Sequence, residues 1–312
     1  MNDEPSPPDL RARATPQGPS HSWAPFILCL AFLAGAFAPP LWHLARFAVS
    51  SELYSYIVLI PAISAYMVWP KRGALTPGAQ PAWVLAAAFA ACGAAALAFY
   101  WLGGPSSGTW APEDALSLTS SSFVCFLLAT CCWHLGAGAM RSIAFPLGFL
   151  VFIVPMPEAV RSTVEGWLQQ GSAAAAHAMF DLAGTPVYYN DLVFQLPNIS
   201  LKVAPECSGI HSSMALLVTS VLAGYFFLRG NLNRTLLCLA VVPLAVLRNG
   251  FRIFVVGELC VHVGPQMIDS SIHHHGGPIF FSLSLIPQLL LLLLLTRSES
   301  SLASLNPKKN ET

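Results

Sequence analysis

Cys207 is the residue best equipped to react. It stands in Ala204-Pro205-Glu206-Cys207-Ser208-Gly209-Ile210-His211-Ser212-Ser213, a polar stretch directly before a long apolar segment. A helix beginning near Ser208 aims its unpaired N–H groups, and the positive end of its dipole, at the Cys207 sulfur, which favours the nucleophilic thiolate. The plainer alternative is a cysteine that packs at a helix start. Arg248, Asn249 and Arg252 fall within another apolar segment. An arginine there is expensive and normally faces a polar cavity or a partner. Arg248 and Arg252 are four apart and share a helix face; snorkelling to the headgroups would account more easily for Arg252 than for Arg248. Histidines make the third group: His262 and the run His273-His274-His275-Gly276-Gly277. A histidine suits general acid–base work on a thiol because its pKa lies near neutrality. Consecutive histidines point in different directions, and no HExxH or CxxC spacing accompanies them, so no metal and no other cofactor is expected. The alternative is a metal held by one of them with Cys207 or His262.

The elements that must position these groups are membrane helices. The chain is 55% apolar and only 10% charged with no net charge, which excludes an ordinary soluble domain and gives no reason to expect nucleic acid as a partner. Of the eight cysteines, all but Cys207 and Cys260 lie inside apolar runs, where cysteine acts as a small hydrophobe; a Cys207–Cys260 disulfide is an alternative use of that pair. Residues 1–22 read as a disordered tail and 23–45 as a retained first span rather than a cleaved signal. A window of about 20 residues yields about eight transmembrane helices, at roughly 25–45, 53–70, 82–102, 116–135, 139–156, 208–228, 235–257 and 278–296. Alternating them from a cytoplasmic N-terminus places a basic residue in every short inner loop, so both termini, including the tail from 297 to 312, are expected inside. Cys207, the arginines and the histidines then converge on the outer surface from three separate elements.

One external loop, 157–206, is large. Val160, Val164, Trp167, Leu168, Gly171, Ala175, Ala178, Met179 and Leu182 predict an amphipathic helix that Gly184 ends, suited to lying on the membrane surface. Val187–Tyr189, Leu192–Leu196 and Ile199–Val203 are β-prone, with breaks at Asn190-Asp191 and Pro197-Asn198. The chain thus reads as an all-α polytopic membrane protein. It has N-terminal membrane helices over 23–156, this structured loop, and membrane helices over 207–296 that carry the chemistry.

Three blocks give this reading a family likeness. Val203-Ala204-x-x-Cys207-Ser208-Gly209-Ile210-x-Ser212, then Asn249-Gly250-Phe251-Arg252-Ile253, then His273-x-x-Gly276-Gly277 with Phe280-Phe281, resemble the signature blocks of the exosortase/archaeosortase family in order and in position at helix ends. The likeness covers about residues 140–296; the earlier spans match only in being hydrophobic. It implies a membrane cysteine protease or transpeptidase with Cys207, Arg252 and His273 as its catalytic triad. His211, where many relatives have arginine, competes with His273 as base, and His274 and His275 compete for alignment with the family position. Arg248, Asn249 and Glu206 are candidate substrate-binding or alternative catalytic residues.

By the same resemblance, the substrates are exported proteins anchored by a C-terminal sorting signal, made of a Pro-Glu-Pro-like motif, a membrane helix and a basic cluster. The expected location is the cell inner membrane, with the site facing the periplasm or exterior. Two other classes compete: a transporter, which would need more mid-membrane charge, acids above all, and a non-enzymatic assembly factor for surface polysaccharide.

Overall fold

In lipid a backbone can satisfy its polar groups only within helices or closed barrels, and apolar runs of this length accordingly become helices. The structure, a computed structural model, describes residues 23–75, 80–103, 110–197, 199–204, 208–269 and 277–305. In chain order the helices are α1 (Ala24–Ala36), α2 (Ala38–Ser50), α3 (Ile60–Val68), α4 (Trp83–Leu102), α5 (Pro112–Ser142), α6 (Ala144–Phe149) and α7 (Glu158–Ala183). The strands β1 (Tyr188–Asn190), β2 (Val193–Leu196) and β3 (Ile199–Lys202) follow, then α8 (Ile210–Phe227), α9 (Asn231–Leu239), α10 (Val241–His262) and α11 (Gly277–Leu305).

Among the described residues five helices are long and apolar enough to cross a membrane, with α9 and α10 counted as one rod, and up to seven if each of two bent pairs is one span. The expected eight is therefore not confirmed. The departures lie at prolines. The run 53–70 is a 3-10 turn (Ser55–Leu59), the nine-residue α3, and a second 3-10 turn (Trp69–Ala74), interrupted by Pro61 and Pro70, which supply no N–H. The run 139–156 splits into the end of α5, the short α6 and a 3-10 turn at Leu150–Ile153, around Pro146 and Pro155.

The two runs nevertheless lie side by side, antiparallel to each other. Tyr54 donates its hydroxyl to the Met156 carbonyl (3.3 Å), Ser64 to that of Pro146 (2.8 Å), and Lys71 Nζ to that of Ser142 (2.7 Å). Lys71 also donates to the Tyr225 hydroxyl (2.8 Å), whose ring carries Arg234 at 5.9 Å, and Glu299 accepts from the N–H groups of Arg229 and Gly230. One end thus gathers Lys71, Arg229 and Arg234. At the other, Asp114 accepts the Glu158 N–H (2.8 Å), and Arg161 pairs with Glu158 and Glu165.

The loop 157–206 folds as expected in its elements and differently in its packing. α7 stops at Gly184 in the left-handed region (φ 75°), and β1–β2–β3 form an antiparallel meander with Tyr189 opposite Phe194 and Phe194 opposite Leu201. The buried face of α7 overlaps the predicted apolar stripe only in part. It consists of Leu168, Gln169, Ser172, Ala173, Ala176 and Phe180, while Val160, Trp167 and Leu182 are exposed, Leu182 by 89%. Helix contacts in membrane proteins favour small residues that let backbones approach, and large apolar residues lose nothing by facing lipid.

Glycines set that approach. A Cβ at Gly171 would touch Val246 at 3.2 Å, one at Gly250 would lie 2.7 Å from the Ala175 Cβ, and one at Gly257 would lie 2.4 Å from the Phe180 ring. The contacts ascend together along both helices, so α7 runs parallel to α10. Ala173, Ala176 and Phe180 join Ile253, Val256 and Cys260, and Phe194, Leu196, Leu201 and Val203 of the sheet segment, in one cluster.

Candidate active site

Gly209 opens α8 with φ 76°, a conformation that side chains with a Cβ rarely adopt. Its carbonyl is the hub of the site. It accepts from the Ser213 N–H (3.0 Å), from the hydroxyls of Ser213 (2.7 Å) and Ser212 (3.1 Å), and from Arg248 Nη2 (3.2 Å). A Cβ at Gly209 would lie 3.0 Å from Arg248 Nη2 and 3.2 Å from Asn249 Cγ, so α10 lies directly against the start of α8. The second block therefore docks two residues from Cys207 along the chain.

Arg248 is only 8% exposed, and Asn249 is buried beside it. The Arg248 guanidinium also donates from Nη2 to Ser213 Oγ (3.5 Å), and its Nη1 has no hydrogen-bond partner among the described residues. A cation held this deep keeps its charge only beside acceptors or an anion. Arg252, half-buried, stands one turn further along α10, about 6 Å from Arg248 along the axis. The third block reaches the same helix: Phe280, at the start of α11, packs edge-on against Phe251 with ring centroids 6.2 Å apart. Residues 248–252 of α10 thus touch the beginnings of both α8 and α11.

Upstream of Cys207 the chain is held by another buried side chain. Val203 continues the sheet by donating its N–H to the Leu192 carbonyl (2.9 Å), and its own carbonyl accepts from Gln169 Nε2 of α7. Sequence reasoning missed Gln169. The available signal was a polar residue at position 169, three before Ser172, in a helix whose buried contacts would have to be made by small and polar side chains.

Cys207, Glu206, His273, His274 and His275 lie outside the described residues. His211 is exposed on the first turn of α8, two positions before Ser213 and so on a different face from the one that meets Arg248. His262 pairs with Glu258 (3.0 Å), which also accepts from the Thr185 hydroxyl. At about 1.5 Å per residue, His262 stands about 20 Å beyond the Asn249 level, too far to serve chemistry beside Gly209. Among the described residues no cluster of His, Cys, Asp and Glu could hold a metal. A cleft of about 430 Å³ lined by Phe99, Trp110, Asp114, Ser117, Leu118 and Pro157 includes none of the site residues.

Neither a curated protein nor a solved structure matches the chain significantly. The sequence profile of the transmembrane exosortases does match, over residues 42–290. With its membrane helices and with α10 seated against the starts of α8 and α11, the chain belongs to the transmembrane exosortase family.

Proposed function

We propose that this exosortase is a cysteine-dependent membrane protease or transpeptidase that cuts exported proteins near a C-terminal sorting signal. One observation carries the reading. Residues 248–252 of α10 bond the Gly209 carbonyl just after Cys207 and pack on Phe280 just after the histidine run, so segments distant in sequence serve one place.

The Cys207 thiolate attacks the substrate carbonyl, and the tetrahedral oxyanion is stabilised by the fixed charge of Arg252. Collapse releases the amine of the C-terminal fragment, protonated by His273, and leaves a thioester on Cys207. His273 then takes a proton from water or from an acceptor amine, whose attack frees the enzyme. His211, His274 and His275 are the other candidates for this proton transfer. Asn249 and Arg248 orient the substrate backbone or its acidic motif, and Glu206 is a further substrate-binding or alternative catalytic candidate. The gathering of Lys71, Arg229 and Arg234 at one end supports an inner-membrane orientation with that end cytoplasmic and the site outside.

The test is processing of a membrane substrate with a tripartite C-terminal tag, read as a mass spectrum of the new C-terminus. Cys207→Ala and Arg252→Ala should each abolish the product. If both variants still trim the substrate, the proposal is wrong; if the spectrum shows an adduct, it identifies the acceptor as well.

A further inference from the structure

Ala204 and Ser208 bound the three residues that include the nucleophile, and the chain is pinned on both sides of them. Four residues before Cys207, the Val203 carbonyl accepts from Gln169 Nε2; two residues after it, the Gly209 carbonyl accepts from Arg248 Nη2. Both donors are buried, and burying an amide or a guanidinium is costly unless its hydrogen bonds are made. Both also sit on one rigid unit, because α7 and α10 approach at Gly171, Gly250 and Gly257 too closely to slide past each other. The Gln169 amide is not spent on helix packing. It reaches out of α7 to a carbonyl that follows the last residue of β3.

We propose that Gln169 is a positioning residue, the upstream half of a two-point clamp with Arg248 that holds the backbone at Val203 and at Gly209, on either side of Cys207. This rests on the cysteine-nucleophile reading. Reaction rates are steep in such placement, a shift of about 1 Å costing on the order of 10²-fold. Gln169 holds the segment without touching substrate, so its loss acts on turnover rather than on binding.

The experiment uses full-length protein in lipid nanodiscs, comparing wild type with Gln169→Leu, which removes the donor at similar volume, and Gln169→Asn, which withdraws it by one methylene. Gln170→Leu, at an exposed neighbouring position, is the control. Two readouts are taken: kcat and KM for the tagged substrate, and hydrogen–deuterium exchange of peptides covering 199–213. The expected result is a fall in kcat of roughly 10- to 100-fold with KM changed by less than about threefold. Exchange should quicken in 203–210 while α7 and α10 stay protected. A kcat within about twofold of wild type in both variants overturns the proposal. So does exchange that rises equally across α7 and α10, or failure of both variants to fold, since each would make Gln169 a packing residue only. If Cys207→Ala retains processing, the nucleophile reading falls, and the exchange comparison still reports whether the clamp exists.

Discussion

Gly209 leaves no room for a side chain, and its backbone conformation is one that an L-residue resists. Alanine in the left-handed region costs about 1–2 kcal/mol, and here its Cβ would press on Arg248 Nη2 at 3.0 Å and on Asn249 at 3.2 Å. Gly209→Ala should therefore lower the melting temperature modestly and cut processing by more than about tenfold, because the hub carbonyl and the docking of α10 shift together. Thermal unfolding in detergent beside a processing assay checks both, and wild-type turnover in Gly209→Ala would contradict the geometry. The histidines separate in the same assay. His273→Ala should abolish product, whereas exposed His211, on a different face of α8 from Ser213, should tolerate alanine within a fewfold; the reverse pattern would move the base to His211. The two segments that meet here were legible as motifs, in Cys207-Ser208-Gly209 and Asn249-Gly250-Phe251-Arg252. Gln169 was not, because a glutamine in an amphipathic helix has the same sequence signature whether it meets water or a buried carbonyl.

At the scale of elements, α7 and α10 act as one piece, and their contact can be wedged apart. A side chain at Gly250 meets the Ala175 Cβ at 2.7 Å and the Ser172 carbonyl oxygen at 3.0 Å, and one at Gly257 meets the fully buried Phe180 ring. Gly250→Val should destabilise by about 1–3 kcal/mol or more, as overpacking does, and should reduce processing through the clamp. Gly138→Val, at a glycine whose Cβ would meet nothing within 4 Å, should lack that steric penalty; equal losses in the two variants would argue against a specific α7–α10 contact. The helix over 158–183 and the three β-prone runs were readable from period and breakers. Which face of α7 turns inward was not. The stripe, suited to lying on the membrane surface, contributes Leu168, Gly171 and Ala175 to the packed side, and Ser172, Ala173 and Ala176 beside them complete it, since close backbone approach is what associates the two helices.

Across the whole molecule, α9 and α10 together run 32 residues, about 48 Å at 1.5 Å per residue against a core of about 30 Å. A rod of that length exceeds the hydrocarbon thickness, so part of it must lie outside the apolar layer. Topology reporters fused near residue 75 or after residue 305 should report the cytoplasm, and one fused near residue 264 the exterior; the opposite pattern would put the proposed site on the wrong face. The membrane class, the helical character and the loop's elements came from the sequence by itself, because hydropathy, period and turn residues act locally along the chain. Only the tertiary structure decided that 53–70 and 139–156 pack side by side as broken helices, that α7 lies along α10, and that Arg248 is committed to the Gly209 carbonyl. Those outcomes rest on how prolines, glycines and small side chains let backbones approach, and that depends on which segment a residue meets across the bundle.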